Sequence, residues 1–120
     1  MSVEMKRAYE APTAKDGHRV LVDGLWPRGV TKAELKLDAW MKEIAPSAAL
    51  RKSYGHIPEK WEEFRKKYRQ ELSKAPRKAL LQELVERARK GKLTLVFGSR
   101  DAERSNAAVL VEVIRGELSH

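Results

Sequence analysis

The chain has no cysteine among its 120 residues. That excludes disulfides, thiolate nucleophiles and zinc–thiolate sites. It has no apolar run approaching the ~20 residues of a membrane span, and no N-terminal stretch of signal-peptide character. A cytoplasmic protein without a membrane partner is expected. The three histidines, His18, His56 and His120, are scattered without ligand spacing, so no metal site is expected. There is no phosphate loop and no dinucleotide-type glycine pattern, and no cofactor is expected. Neither an internal repeat nor an interdomain linker occurs, so residues 1–120 are read as one domain.

What is present is charge, unevenly placed. The formal net charge is +8, with 35% of residues charged. Residues 51–92 hold 14 Lys and Arg against 6 Asp and Glu, which is the whole surplus; the remainder is balanced at 11 of each sign. Such a segment can contact nucleic acid or an acidic partner, or it can be a solvated helical face.

Apolar spacing gives the elements. Val3 to Tyr9 alternates as a first strand, Arg19 to Leu25 is a second, and Lys92 to Phe97 is a third. Val20-Leu21-Val22 is apolar without alternation, which suits a strand covered on both faces. Asp16-Gly17 signals a turn. Thr31 with Glu34 fits a capping box. Leu37, Trp40, Met41 and Ile44 then fall on one helical stripe. Ser47 caps a helix that ends at Tyr54, with Gly55 at its left-handed stop. Trp61, Phe64, Tyr68 and Leu72 mark the next helix, and Pro76 opens a hairpin partner that carries Leu80, Leu81, Leu84, Val85 and Ala88. A last helix runs from about Ala102 to Gly116. Strands and helices interleave, so the expected fold is α/β: a small, mostly parallel sheet of about three strands flanked by helices.

Two strand ends carry chemistry. The second runs into Asp23 and the turn Trp26-Pro27-Arg28-Gly29; the third runs into Ser99-Arg100-Asp101. Parallel neighbours open on one edge of a sheet, where α/β folds place ligands. There Arg28 and Arg100 can hold an anion, with Ser99 and the N-terminus of the last helix. Gly29 allows close backbone approach, and Asp23 orients Arg28 or acts as a base. His56, in the turn after Gly55, is the candidate proton carrier. The competing use is structural: Asp23 paired with Arg28, Asp101 as a cap, Trp26 in the core. The ligand class that fits is small and anionic, phosphorylated or nucleotide-like.

The alternative is a nucleic-acid-binding module on the helical hairpin, using Lys60, Arg65, Lys66, Lys67 and Arg69. Against it, Glu62–Lys66, Glu63–Lys67, Glu83–Arg87 and Glu86–Lys90 have the favourable i, i+4 order of an ordinary exposed helix pair. The aromatics lie at core spacing and are not interleaved for base stacking. Weak nonspecific nucleic-acid binding is the expectation on this side, and docking of an acidic protein is a third possibility. Neither enzyme activity nor oligomeric state is fixed by these residues.

Leu21-Val22-Asp23, Leu25-Trp26-Pro27-Arg28-Gly29, Leu37-Asp38 with Trp40, Ala45-Pro46-Ser47, Leu50-Arg51-Lys52, Gly55-His56 with Pro58, and Leu93-Thr94-Leu95 with Asp101 together resemble the YeaO-like family. This is the bacterial and archaeal domain of unknown function 488. The resemblance covers nearly the whole chain. It implies a compact α/β domain and places Asp23, Trp26, Pro27, Arg28, Gly29, His56 and Asp101 among the motif residues. The chain departs from the family pattern at Gly24, where Arg is common, and at Ser53-Tyr54, where a more aromatic pair is usual. A third departure is Arg104-Ser105-Asn106, where His-Asn is usual. Losing an Arg and a His beside the crevice weakens shared acid–base chemistry more than anion binding, because Arg104 keeps a cation in the first turn of the last helix.

Overall fold

An unbroken apolar run is stable in a strand only where both faces are covered. Val20, Leu21 and Val22 are accordingly all buried. In the computed structural model, which describes residues 1–120, four strands form one parallel sheet. They are β1 (Ser2–Arg7), β2 (His18–Leu21), β3 (Ala39–Trp40) and β4 (Lys92–Phe97), in the spatial order β1-β4-β2-β3. In the register, β4 sits between β1 and β2, with Val3 opposite Leu93 and Val20 opposite Leu95.

Five helices cover the sheet: α1 (Lys32–Leu35), α2 (Ala48–Tyr54), α3 (Trp61–Leu72), α4 (Arg77–Lys90) and α5 (Asn106–Leu118). The two faces are unequal. Val3, Val20, Val22, Leu93, Leu95 and Phe97 pack with Leu50, Tyr68, Leu84, Leu110 and Ile114 of α2–α5 in the main core. Leu21 and Val96 point the other way, under Leu35 of α1 with Trp26, Val30 and Leu37.

Local chemistry sets the helix ends. The Thr31–Glu34 capping box starts α1. Ser47 caps α2, its hydroxyl accepting Leu50 N–H at 3.2 Å, and Gly55 closes it in the left-handed region (φ 54°). Ser47 is itself fixed by Glu71 of α3, whose carboxylate accepts its N–H (2.9 Å) and hydroxyl (2.5 Å). Phe64, Tyr68 and Leu72 face inward from α3 at the spacing read above, and the buried Tyr68 hydroxyl donates to Ile44 O at 2.6 Å. The helical segment is therefore strapped to the Ile44–Ser47 turn by side-chain hydrogen bonds.

Three expectations are corrected. Leu37, Trp40, Met41 and Ile44 share no helix. α1 ends at Lys36 in the left-handed region (φ 47°), and the chain then runs along β2. Asp38 N–H donates to Arg19 O (2.8 Å) and Met41 N–H to Leu21 O (2.9 Å). The open edge of β2 offers backbone partners to this stretch, so the sheet gains a fourth strand. The last helix starts at Asn106 after a single 3-10 turn, Ala102–Arg104; Ser105 is its cap, accepting Ala108 N–H at 3.1 Å, and Asp101 caps nothing with its side chain. Strand ends are earlier than read, at Arg7 and Leu21, although Val22 N–H still reaches Val96 O at 3.0 Å. No helix is long and apolar enough to cross a membrane.

Candidate functional site

β2 and β4 are parallel neighbours in register, Leu21 opposite Val96, so their carboxyl ends emerge side by side. Asp23 and Gly98 meet there, Asp23 Oδ2 accepting Gly98 N–H at 2.8 Å. Arg7 holds the same turn from its other side, Nε donating to Ser99 O (2.9 Å) and Nη2 to Gly98 O (3.2 Å). Trp40 on β3 fixes the backbone before the next turn, its indole N–H donating to Asp23 O at 2.7 Å. Four parallel strands thus position one short rim.

A cavity of about 250 Å³ lies at this rim. Asp23 and Ser99 line it from the strand ends, Arg51 and Tyr54 from α2, Phe64 from α3, and Arg104, Ser105 and Asn106 from the start of α5. Tyr54 is locked against Phe64 (ring centroids 4.6 Å apart), and its hydroxyl donates to Arg104 O at 3.2 Å. Burial, with the Asp101 charge nearby, holds that hydroxyl above the usual tyrosine range. Gly24 also lines the cavity; a Cβ there would make ordinary contacts with Ala45 Cβ (3.6 Å) and Arg51 Nη1 (3.8 Å).

The electrostatics are mixed in sign. Burial pushes the Asp23 carboxyl up, and Gly98 N–H, the Asn106 amide and the Arg51 charge pull part of that back. Arg104 pairs with Asp101 at 3.0 Å, both side chains near half exposed. Ser105 takes the Ala108 and Val109 N–H groups of α5, which leaves those of Asn106, in the cavity wall, and Ala107 without an intrahelical acceptor. His56 also lines the cavity. It sits in the left-handed region (φ 56°) directly after Gly55, a conformation that costs a non-glycine residue about 1 kcal/mol or more.

Of the residues read from sequence, the structure gathers Asp23, His56, Ser99 and Arg104 at one cavity, with Asp101 beside Arg104. It does not bring Trp26, Arg28, Gly29 or Arg100 to it. Trp26 turns to the opposite sheet face, donates to Val30 O at 2.7 Å and packs edge-on against Trp40 (5.5 Å). Gly29 supplies the left-handed turn (φ 74°) that lets the loop return. Arg28 and Arg100 are exposed outside the cavity. The Trp-Pro-Arg-Gly turn is therefore used to close the fold. Arg51, Tyr54 and Asn106 are cavity residues that strand-end reasoning passed over, since they lie on helices. The sequence signals for Arg51 were its place one turn after the Ser47 cap and its membership of the Leu50-Arg51-Lys52 motif.

On the helical hairpin, Arg65 pairs with Glu112 and with Glu62 (3.5 Å), Arg69 with Glu112 (2.7 Å), and Lys67 with Glu63 (2.7 Å). Lys60 donates to Ser53 O at 3.4 Å. Lys66 is exposed, and its expected partner Glu62 goes to Arg65 instead.

The family model described as the inactive DUF488-N3 subclade matches residues 2–120. Uncharacterized protein Rv3073c of Mycobacterium tuberculosis (strain H37Rv) is 40% identical over 114 residues, covering 95% of this chain and 94% of that protein. Uncharacterized protein YeaO of Escherichia coli (strain K12) is 37% identical over 115 residues, covering 96% and 98%. No solved structure matches the chain.

Proposed function

The chain belongs to the YeaO-like DUF488 family, and from the geometry of its cavity we propose that it is a binding domain that takes a small phosphorylated ligand, a sugar phosphate or a mononucleotide. One observation carries the reading. Two guanidiniums, Arg51 and Arg104, and the N-terminus of α5 converge on a cavity at the carboxyl ends of β2 and β4. Planar guanidiniums pair bidentately with phosphate, and free helix N–H groups add to the same field. The aromatic wall of Tyr54 and Phe64 offers packing area beside the charges.

Binding is favoured over catalysis on two grounds. The family description calls its subclade inactive. His56, the one imidazole on the cavity, is exposed, and its ring neighbour is Tyr54 at 5.8 Å rather than a carboxylate that would orient it as an acid or base. The nucleic-acid reading is weaker, because Arg65 and Arg69 share their charge with Glu112 and Lys67 with Glu63 and no concave site gathers them with an aromatic wall, whereas Arg51 and Arg104 meet at one.

Calorimetric titration with a panel of sugar phosphates and mononucleotides tests the proposal. A phosphorylated compound is expected to bind, and Arg51→Ala and Arg104→Ala are each expected to weaken it about tenfold or more. Arg28→Ala, outside the cavity, is expected to leave affinity unchanged. If no phosphorylated compound binds the parent chain, or if Arg28→Ala weakens binding as much as Arg104→Ala, the proposal fails.

A further inference from the structure

We infer that the phosphate-bearing ligand also presents hydroxyl groups, and that Asp23 is the residue that selects for them. The class is a polyhydroxylated monophosphate of single-ring size. This rests on the anion-binding reading above and adds the chemistry of the ligand's other end.

Asp23 lines the cavity as a partly buried carboxylate. An ionised carboxylate offers about four acceptor positions. Oδ2 takes the Gly98 N–H at 2.8 Å. The Asn106 amide lies alongside, one N–H donating to Val22 O at 3.1 Å and the other bearing on the Asp23 carboxylate. Neither arginine of the cavity donates to Asp23: Arg104 is shared with the half-exposed Asp101 and keeps donors for an anion, and Arg51 acts on Asp23 through its field. No buried side-chain acceptor of the protein lacks a partner, so the acceptor capacity left at Asp23 is the part open to the cavity, where a ligand's donors can reach it.

A phosphate cannot fill it, since two anions in contact repel. The phosphate belongs on the Arg51 and Arg104 side, and what meets Asp23 must donate hydrogen bonds. Hydroxyls fit better than an ammonium group: two guanidiniums already line this cavity, and a neutral donor loses less solvation against the Phe64 and Tyr54 wall. The volume, about 250 Å³, is just under the roughly 300 Å³ at which drug-sized sites begin, which suits one ring and one phosphate.

The experiment compares ribose 5-phosphate with cyclopentylmethyl phosphate, which has a ring of the same size and no hydroxyls, by calorimetry on the full chain. The parent is expected to prefer ribose 5-phosphate about tenfold. In Asp23→Asn the Oδ1 keeps the Gly98 N–H and an amide donor replaces the free acceptor, so the preference is expected to fall to about twofold or less, while loss of the negative charge raises the affinity for cyclopentylmethyl phosphate. Equal binding of the two compounds by the parent overturns the inference with the anion site intact, and needs no variant to fold. So does a preference that persists in Asp23→Asn, or tighter binding of O-phosphoethanolamine than of ribose 5-phosphate. Failure of both ring phosphates to bind the parent overturns the anion site itself and this inference with it.

Discussion

Asp16→Ala is expected to destabilise the protein by about 3–5 kcal/mol, read as a fall in the urea midpoint, because it leaves buried charge uncompensated. Asp16 and Arg19 are 6% and 4% exposed. The Asp16 carboxylate accepts from Arg19 Nη1 (2.7 Å), Thr13 N–H (3.0 Å), the Thr13 hydroxyl (3.1 Å) and Lys6 Nζ (3.1 and 3.2 Å). Arg19 in turn donates to Leu35 O (2.8 Å) and Lys36 O (3.3 Å), capping the carboxyl end of α1. One carboxylate thus ties β1, β2 and α1 together below the sheet's second face. Removing it sets Lys6 and Arg19 against each other without a mate. A control with both Asp16 and Arg19 replaced by apolar residues is expected to recover much of the loss. If Asp16→Ala costs less than about 1 kcal/mol, the network is not holding α1.

The same group sets an acid dependence. Burial pushes the Asp16 carboxyl up, but hydrogen bonds from Thr13 and Lys6 outweigh that and bring it from 3.8 down to about 2. A depressed carboxyl stabilises the fold above its unfolded value and loses that contribution as pH falls through the folded one. The window is therefore pH 4 to 2, and the difference of nearly two units is worth about 2 kcal/mol. The stability gap between parent and Asp16→Ala should be constant from pH 7 to 5 and narrow by about that amount below pH 4. A gap that widens on acidification would contradict the assignment.

Gly17→Ala is the second large effect, expected to cost about 3 kcal/mol or more by the same urea measurement. Gly17 enters β2 at φ 66°, ψ −132°, a region nearly closed to L residues. A Cβ there would lie 2.4 Å from Lys92 O, which is backbone at the start of β4 and cannot swing aside. Both the strain and the clash fall on the β2–β4 pairing that places Asp23 beside Gly98. Gly29→Ala is the internal comparison: its φ is also positive, but a Cβ there meets nothing within 4 Å, so the loss should be confined to the backbone strain of about 1–2 kcal/mol. Equal losses at both positions would show that the contact with Lys92 does not matter.

The sequence by itself determined what depends on near neighbours along the chain. Thr31 with Glu34, Ser47 and Gly55 announce helix ends because capping is a matter of three or four residues. Val20-Leu21-Val22 and Leu93 to Phe97 announce buried strands because burial on both faces leaves no polar alternation. Parallel strands follow from the alternation of elements, and a common rim for Asp23 and Ser99 followed only on the condition that their strands are neighbours, which the sheet order decided.

Only the tertiary structure decided which side chains reach that rim. Direction across a sheet is set by packing: Trp26 lies close to Asp23 in sequence but turns under Leu21 and Val96, carrying Arg28 away with its loop. Arg51 and Asn106 arrive from helices whose docking depends on the whole core, and the segment Ala39–Trp40 is a strand because β2 had an edge to offer it. Asp16 reads as a turn residue and becomes a buried ion because Lys6, Thr13 and Arg19 converge on it from three segments. Local hydrogen bonding and periodicity act over a few residues; side-chain direction, partner choice and burial are fixed by contacts between segments far apart in the chain.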